Sequence, residues 1–432
     1  MKKIIYTGLV VLFALTTQAQ QVQTNDDLKS LINKSFGYFP QVKEAEQAIH
    51  SSQEKVDLAK MNPLSVAGDA SYTYVKPKIV LPFPMGPNGE IENFQFAPVH
   101  NVDAAIDANY TLLDFGRIRA NVERAKTDLK YATHNVENVR EQLAYQVANI
   151  YYNVIYYKRA ITIQDSVLSY LNENKRIINA QLQNGSALKI DILNIQAQID
   201  AEQNRKVDLQ NSLQKQLHLL AYTTGITQTE GTGFDFNVLL QNTDSALNIA
   251  QENNIDFVLA KDKVEQAEAD LAITKLTQRP SVVLHGSSGY KNGYVPNVNE
   301  IRFNYNAGVT LRVPIYSGGK TKQQERLNES LIRQNQLAVE TLSNNYKKDI
   351  EQALTDIKTN IERIENTGGQ IEQARVAQQL ATSRFMNGVG TNLEITNAST
   401  NLQRAEFTRL QYEYQLCLAK VQLAKLLGYK YW

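Results

Sequence analysis

Cysteine is almost missing from this sequence: Cys417 stands alone in 432 residues. That excludes an internal disulfide framework and leaves no cysteine near the N-terminus for lipid attachment. The five histidines, His50, His100, His134, His218 and His285, are isolated and show none of the spacings that zinc sites use. Phosphate-binding glycine loops, nucleophile elbows and paired-histidine motifs are absent too. Acidic residues are scattered along polar helix faces, so no catalytic pair stands out. The sequence therefore reads as a non-enzyme with no cofactor and no metal. Neither sign of charge dominates: 45 basic and 44 acidic residues give a net charge of +1, or about −1 once two leader lysines are removed. Nothing here offers an electrostatic footprint for nucleic acid. No apolar run approaches the ~20 residues that a membrane helix needs. Proline and glycine are few, 10 and 21, and clustered, which favours very long elements over many short ones.

What is present begins with a leader. Lys2 and Lys3, the apolar run Ile4 to Leu15 and the small-residue site Thr17-Gln18-Ala19 form a secretory signal over 1–19, with the mature chain expected from about Gln20. An exported chain with one cysteine must be held together by packing alone.

The rest is a duplication. Asp114-Phe115-Gly116-Arg117 matches Ser317-Gly318-Gly319-Lys320, and Asn184-Gly185 matches Asn387-Gly388, each 203 positions apart. The same offset joins Asp191 to Glu394, Asn194 to Asn397 and Gly225 to Gly428. Two copies of one structural unit follow. Upstream, Pro63 matches Pro280 at an offset of 217, so the first copy carries about 14 extra residues; the stretch Pro77 to Pro98 that holds them reads as a loop.

In the first copy an apolar 4-3 pattern runs from Ile118, Val122, Ala125 and Leu129 through Val154 to Leu182, broken by polar Gln164 and Lys175. This is a coiled-coil seam, with a stutter between Leu143 and Val147 that locally relaxes the supercoil. One continuous helix over that range would be roughly 100 Å long. The second copy keeps sevens through Ile350, Ile357, Ile364 and Ile371. Each long helix is expected to turn at its Asn-Gly and return, over 188–224 and 393–427, until Gly225 and Gly428 stop it.

Ahead of each long helix the period changes to two. Val102, Ala104, Ile106, Ala108, Tyr110 and Leu112 alternate with Asn101, Asp103, Ala105, Asp107, Asn109 and Thr111. Ile301, Phe303, Tyr305, Ala307, Val309, Leu311 and Val313 alternate with Arg302, Asn304, Asn306, Gly308, Thr310 and Arg312. Weaker strands precede each, around Val66 to Tyr74 and Val282 to Tyr290. Ten-residue strands with one apolar and one polar face suit an outer-membrane barrel, although a soluble sheet alternates in the same way. Helices already committed to their own seams leave lipid as the partner of the apolar face. Four strands cannot close in lipid without unsatisfied edges. Three copies would give twelve strands and leave a lumen, whereas two would fill theirs with side chains.

The duplicated order of helix, proline, strand hairpin, glycine junction and long helical hairpin resembles the TolC family of outer-membrane efflux and secretion channels. So do the local runs Arg279-Pro280, Pro314-Ile315-Tyr316-Ser317-Gly318-Gly319 and Asn387-Gly388-Val389-Gly390-Thr391. The resemblance implies an α+β, mostly α chain of TolC-like fold, a duplicated transmembrane β-hairpin plus very long helical hairpin. It also implies a homotrimer with a twelve-stranded barrel in outer-membrane lipid and an α-helical periplasmic barrel. The function it implies is a passive export duct docked to a periplasmic adaptor and an inner-membrane pump. A periplasmic coiled-coil scaffold is the alternative, and it leaves the strand hairpins without purpose.

Laid along the chain, this gives N-terminal helices over 20–62, a first transmembrane β-hairpin over 63–113 and a first helical hairpin over 114–225. Mid-tunnel short helices over 226–279, a second β-hairpin over 280–316, a second helical hairpin over 317–428 and a tail over 429–432 complete it. Expected strand–helix junctions are Pro63, Gly116, Pro280, Gly318 and Gly319. Expected adaptor-docking tips are Gly185, Ser186 and Ala187 with Gly388, Val389 and Gly390. Asp191 and Glu394, with Asn194 and Asn397 a turn beyond, are expected at the pore constriction, where three copies would place six carboxylates; the alternative is that they are first-turn acids favoured by the helix dipole, against which stands their distance of several residues from the tip glycines. The family's prototype closes its mouth with a tyrosine, an arginine and aspartates; this sequence has Phe385, Gly390, Glu394 and Asn397 at the matching positions, so a gate of that design is incomplete.

Overall fold

A computed structural model describes residues 22–62, 64–84 and 91–432. The expected leader and Pro63 lie outside the described residues. The chain divides into two units, one of residues 22–45, Asn135–Val258 and Glu340–Trp432, the other of Glu46–His134 and Leu259–Val339.

The elements in chain order open with β1 (Val22–Gln23), α1 (Asp26–Tyr38) and α2 (Pro40–Lys60). Four strands follow, β2 (Ser65–Tyr74), β3 (Val80–Pro84), β4 (Ile91–Gln95) and β5 (His100–Leu113), then the helical hairpin α3 (Arg117–Gln183) and α4 (Lys189–Thr224). The middle holds β6 (Asn237–Val238), α5 (Thr243–Asn253) and α6 (Ile255–Leu276). The second copy supplies β7 (Ser281–Lys291), β8 (Arg302–Arg312), α7 (Lys320–Met386) and α8 (Asn392–Leu426). The 203-residue offset survives to the residue: α3 and α7 are 67 residues each, from 117 to 183 and from 320 to 386.

Local chemistry explains where helices start. The Asn25 side chain accepts the Leu28 N–H at 3.0 Å ahead of Asp26 and Asp27 in the first turn of α1, and Asn242 does the same for Ser245 at 2.8 Å in α5. Pro40 opens α2, where its missing N–H has no helical partner to lose. The Asp114 carboxylate caps the start of α3, accepting from the backbone N–H of Gly116 and of Ile118.

In the first unit the core does not follow the expected seam alone. Around Leu143–Ile155, α3 is enclosed on several sides: Ala144, Ala148, Tyr151, Tyr152 and Ile155 are fully buried beside the seam residues Leu143 and Val147. Leu28 and Ile32 of α1, Phe236, Phe257, Leu220 and the tail residues Tyr429 and Tyr431 join the same cluster. Asn25 donates to the Tyr151 hydroxyl at 2.7 Å, and Tyr152 donates to Asp235 at 3.2 Å, so the two buried phenols are satisfied. The tail is thus core. The seam's polar interruptions are also paired: Gln164, fully buried, donates to the backbone oxygen and carboxylate of Glu202 at 2.9 and 2.8 Å, Gln403 of α8 donates to the same carboxylate at 2.8 Å, and Lys175 reaches Gln196 at 2.5 Å. Satisfied polar contacts at single seam positions fix helix register at some expense of stability.

In the second unit β2, β5, β7 and β8 form one four-stranded antiparallel sheet in that order. The stretch expected to be a loop is a correction: β3 and β4 pair as a separate ribbon, Val80↔Gln95 through Pro84↔Ile91. A two-stranded ribbon has two free edges, so Pro82 and Pro84 cost it no necessary donor. Arg124 bridges Asp128 and Asp270, while Lys130 and His134 both reach the buried carboxylate of Asp262, tying α3 to α6.

Candidate channel surface, junctions and helical tips

Directly paired residues point to the same side of a sheet, so the register decides which side chains share a face. Ile106 pairs with Gly68 and Ser288, Ala104 with Ala70 and Tyr290, and Tyr110 with Leu284. Across the last pair, Tyr290 meets Phe303, Ser288 meets Tyr305, and Leu284 meets Val309. Apolar and small residues of all four strands therefore lie on one face. Asp103, Asp107, Asn109, Lys291, His285, Asn304, Asn306 and Arg302 share the other. The apolar face is bare: Ile106 is 61%, Phe303 60%, Val309 64% and Tyr305 80% exposed. One detail differs from the alternation read above. The ladder shifts between Thr111 and Leu113, so Leu112 is the extra residue and Leu113 opposes Val282 on the apolar face.

At the junctions Gly116, Gly318 and Gly319 have φ of 99°, 64° and 77°, and Pro280 directly precedes β7. Phe115 occupies the repeat position of Gly318 and has φ of 54°, a left-handed conformation that costs an ordinary residue roughly 1–2 kcal/mol. Its ring is exposed, as are Leu112 and Leu113.

The tips close by the same device in both copies. Gly185 (φ 76°) donates to the Leu182 carbonyl at 3.1 Å and Ser186 to that of Gln181 at 2.8 Å. Gly388 (φ 73°) donates to Phe385 at 3.0 Å, and Val389 and Gly390 donate to Arg384 at 3.0 and 3.1 Å. This pair of bonds beyond a left-handed glycine satisfies the last carbonyls of a helix. Ala187 packs inward, whereas Leu188, Ile190, Val389 and Leu393 are exposed. Both hairpins share a small core of Leu171, Ile178, Ile195, Phe385 and Ile395, with Tyr170 bonded to Thr382 at 2.7 Å and Gln181 to the Phe385 carbonyl at 3.1 Å. The two tips are thereby neighbours.

The returning helices start within one residue of the expected positions, at Lys189 and Asn392, so distance from the tip glycines does not take the acids out of the first turn. Asp191 and Glu394 fall in the first turns of α4 and α8, within reach of the helix dipole. Asp191 accepts the Leu188 N–H at 3.0 Å. The Glu394 N–H donates to Thr391 at 3.3 Å, and its carboxylate lies 3.3 Å from Arg384, which also donates to the Val389 carbonyl at 3.2 Å. Asn194 and Asn397 are exposed one turn on. Sequence reasoning passed over Arg384: it stands beside buried Phe385 and supplies a guanidinium at the tip. The available signal was the arginine–glutamate spacing across the Asn-Gly turn.

A duplicated helical hairpin, a bare apolar sheet face and paired tips define a mostly α, α+β protein of the TolC-like channel type. The sequence profile of the outer membrane efflux protein family matches residues 31–225 and 246–429, one segment per repeat, and the chain belongs to that family. Membership makes it an outer-membrane channel protein and not an enzyme. It is 22% identical over 324 residues to outer membrane protein TolC of Vibrio cholerae, covering 71% of this chain and 72% of that protein. To the pyoverdine export outer membrane protein OpmQ of Pseudomonas aeruginosa it is 24% identical over 357 residues, covering 76% and 70%. Among solved structures, VceC of Vibrio cholerae superposes with a TM-score of 0.73 at 18% identity, over 94% of this chain and 96% of that one. The open state of the Neisseria gonorrhoeae MtrE outer membrane channel gives 0.74 at 17% identity, over 95% and 91%.

Proposed function

We propose that three copies of this chain form a passive export duct, in which the sheets close into a twelve-stranded barrel in the outer membrane and the helical hairpins extend it into the periplasm. The observation that carries this reading is the four-stranded sheet. Among the described residues its apolar face is continuous and uncovered, and β2 and β8 are each paired on one side only. In lipid such edges must be satisfied, and closure with neighbouring copies satisfies them. The tips at Gly185, Ser186 and Ala187 and at Gly388, Val389 and Gly390 dock a periplasmic adaptor, which links the duct to an inner-membrane pump that supplies the energy. The exposed Leu188, Val389 and Leu393 give that contact apolar area. Boundaries between the barrel and tunnel parts follow the segments expected from the repeat.

Asp191 and Glu394 narrow the periplasmic mouth as six carboxylates around the axis, with Asn194 and Asn397 beside them. The Leu188 N–H holds the Asp191 carboxylate and the Arg384 guanidinium holds that of Glu394; neither contact prevents a second role, since a carboxylate with one partner retains free lone pairs. Rings of acids at a constriction favour cations. Purified protein in detergent should migrate as a heat-modifiable trimer and form channels in planar bilayers. Asp191→Asn combined with Glu394→Gln should reduce cation selectivity several-fold while leaving the trimer intact. Unchanged selectivity with a lower melting temperature would reduce these carboxylates to helix caps, and a purely monomeric, non-conducting protein would overturn the duct.

A further inference from the structure

Glu141 of α3 is 8% exposed, and its Oε1 has no hydrogen-bond partner among the described residues. The tail packs over this turn, because Lys430 is ion-paired with Glu137, one turn before Glu141 on the same helix. Tyr431, 3% exposed, also has a hydroxyl without a partner among the described residues. Both nearby cations are engaged elsewhere, Lys430 with Glu137 and Lys425 over the Tyr145 ring at 4.5 Å. Asp256, at the start of α6, adds a second carboxylate. It accepts the Tyr346 hydroxyl of α7, and its N–H donates to Asn254 at 2.8 Å. Asn254 in turn donates to the carbonyls of Lys425 and Leu426 at 2.9 and 3.2 Å. The α5–α6 junction, the end of α8, α7, the tail and α3 therefore meet around one unpaired acid.

We propose that Glu141 is a proton-operated catch for the C-terminal tail: neutral, it keeps the seam between α3, α6 and residues 425–432 closed, and ionised, it faces Asp256 with no bonded cation and lets the tail open. Burial first, and then the charge of Asp256, push the Glu141 carboxyl up to about 7, with Lys425 and Lys430 only partly opposing and Glu137 reinforcing the shift. Because the closed state binds the proton more tightly than the open one, closure is fully favoured below the ordinary carboxyl value of 4.5 and is lost as pH rises through about 7. The working window is therefore about pH 5 to 8.

Hydrogen exchange on the intact detergent-solubilised protein, corrected for intrinsic rates, tests this. Amides of 425–432 should open roughly 10- to 100-fold more often at pH 8 than at pH 5.5. Glu141→Gln should flatten that dependence and keep the tail protected at pH 8, whereas Glu137→Gln, which frees Lys430 to reach Glu141 and removes a charge that reinforces the shift, should weaken it. If Glu141→Gln does not fold, Asp256→Asn decides, because removing the facing charge brings the buried Glu141 carboxyl down towards its ordinary value and should shrink the loss of tail protection between pH 5.5 and pH 8. Wild-type protection that is equal at both pH values, a dependence that persists in Glu141→Gln, or an unchanged transition in Asp256→Asn would each overturn the catch.

Discussion

Ile106→Lys should block assembly of the channel, while Asp107→Lys, one residue along the same strand, should leave it nearly intact. Ile106 sits mid-strand on the apolar face between Gly68 and Ser288, with Ala104 and Ala108 either side on β5. Asp107 lies on the opposite face, between Ala67 and Ser287. A lysine facing lipid near the bilayer midplane costs about 2–4 kcal/mol in an outer-membrane barrel, and a trimer would bear that three times. In the lumen the same ammonium stays hydrated and the cost is small. Heat-modifiable migration of outer-membrane extracts reads the difference directly. Equal assembly of the two variants would show that the apolar face does not meet lipid.

Gly428→Ala should be the most damaging single-methyl change among the repeat-matched glycines, costing about 3 kcal/mol where Gly225→Ala costs about 1–2. Both glycines stop a returning helix at the same repeat position, with φ of 69° and 74°. Their surroundings differ. A methyl at Gly428 would meet the backbone of Asn253 and Asn254 at 2.8 Å, at the α5–α6 junction whose Asn254 side chain caps α8. A methyl at Gly225 would meet the Tyr38 ring at 3.0 Å, which a small rotation relieves. Backbone cannot yield in that way without breaking the cap. Thermal melts of the two variants should therefore separate by several degrees, the Gly428 variant being lower, and identical melting would mean that only the shared left-handed conformation matters.

Much of this protein is legible along the chain because its signals are local and repeated. A period of two over residues 101–112 and 302–312 and a 3.5-residue seam over 118–182 depend only on neighbours in sequence. The offset of 203 then makes each reading check the other, down to the matched limits of α3 and α7. Asn184-Gly185 and Asn387-Gly388 announce the helical turns because few other residues accept a left-handed backbone. Tertiary structure alone decided the rest. Whether the two strand hairpins join rests on the β5–β7 ladder, which pairs residues almost two hundred positions apart, and no period encodes such a partner. The β3–β4 ribbon was hidden because its prolines look like loop residues until a free edge makes them harmless. Around Leu143–Ile155 the seam predicts one buried stripe, yet the N-terminal helix and the tail bury other faces as well, since burial depends on what packs there and not on the helix's own pattern. For the same reason Glu141 reads in sequence as one more solvated acid, and only the tertiary packing buries it, one turn from the Glu137 that pairs with Lys430 of the tail.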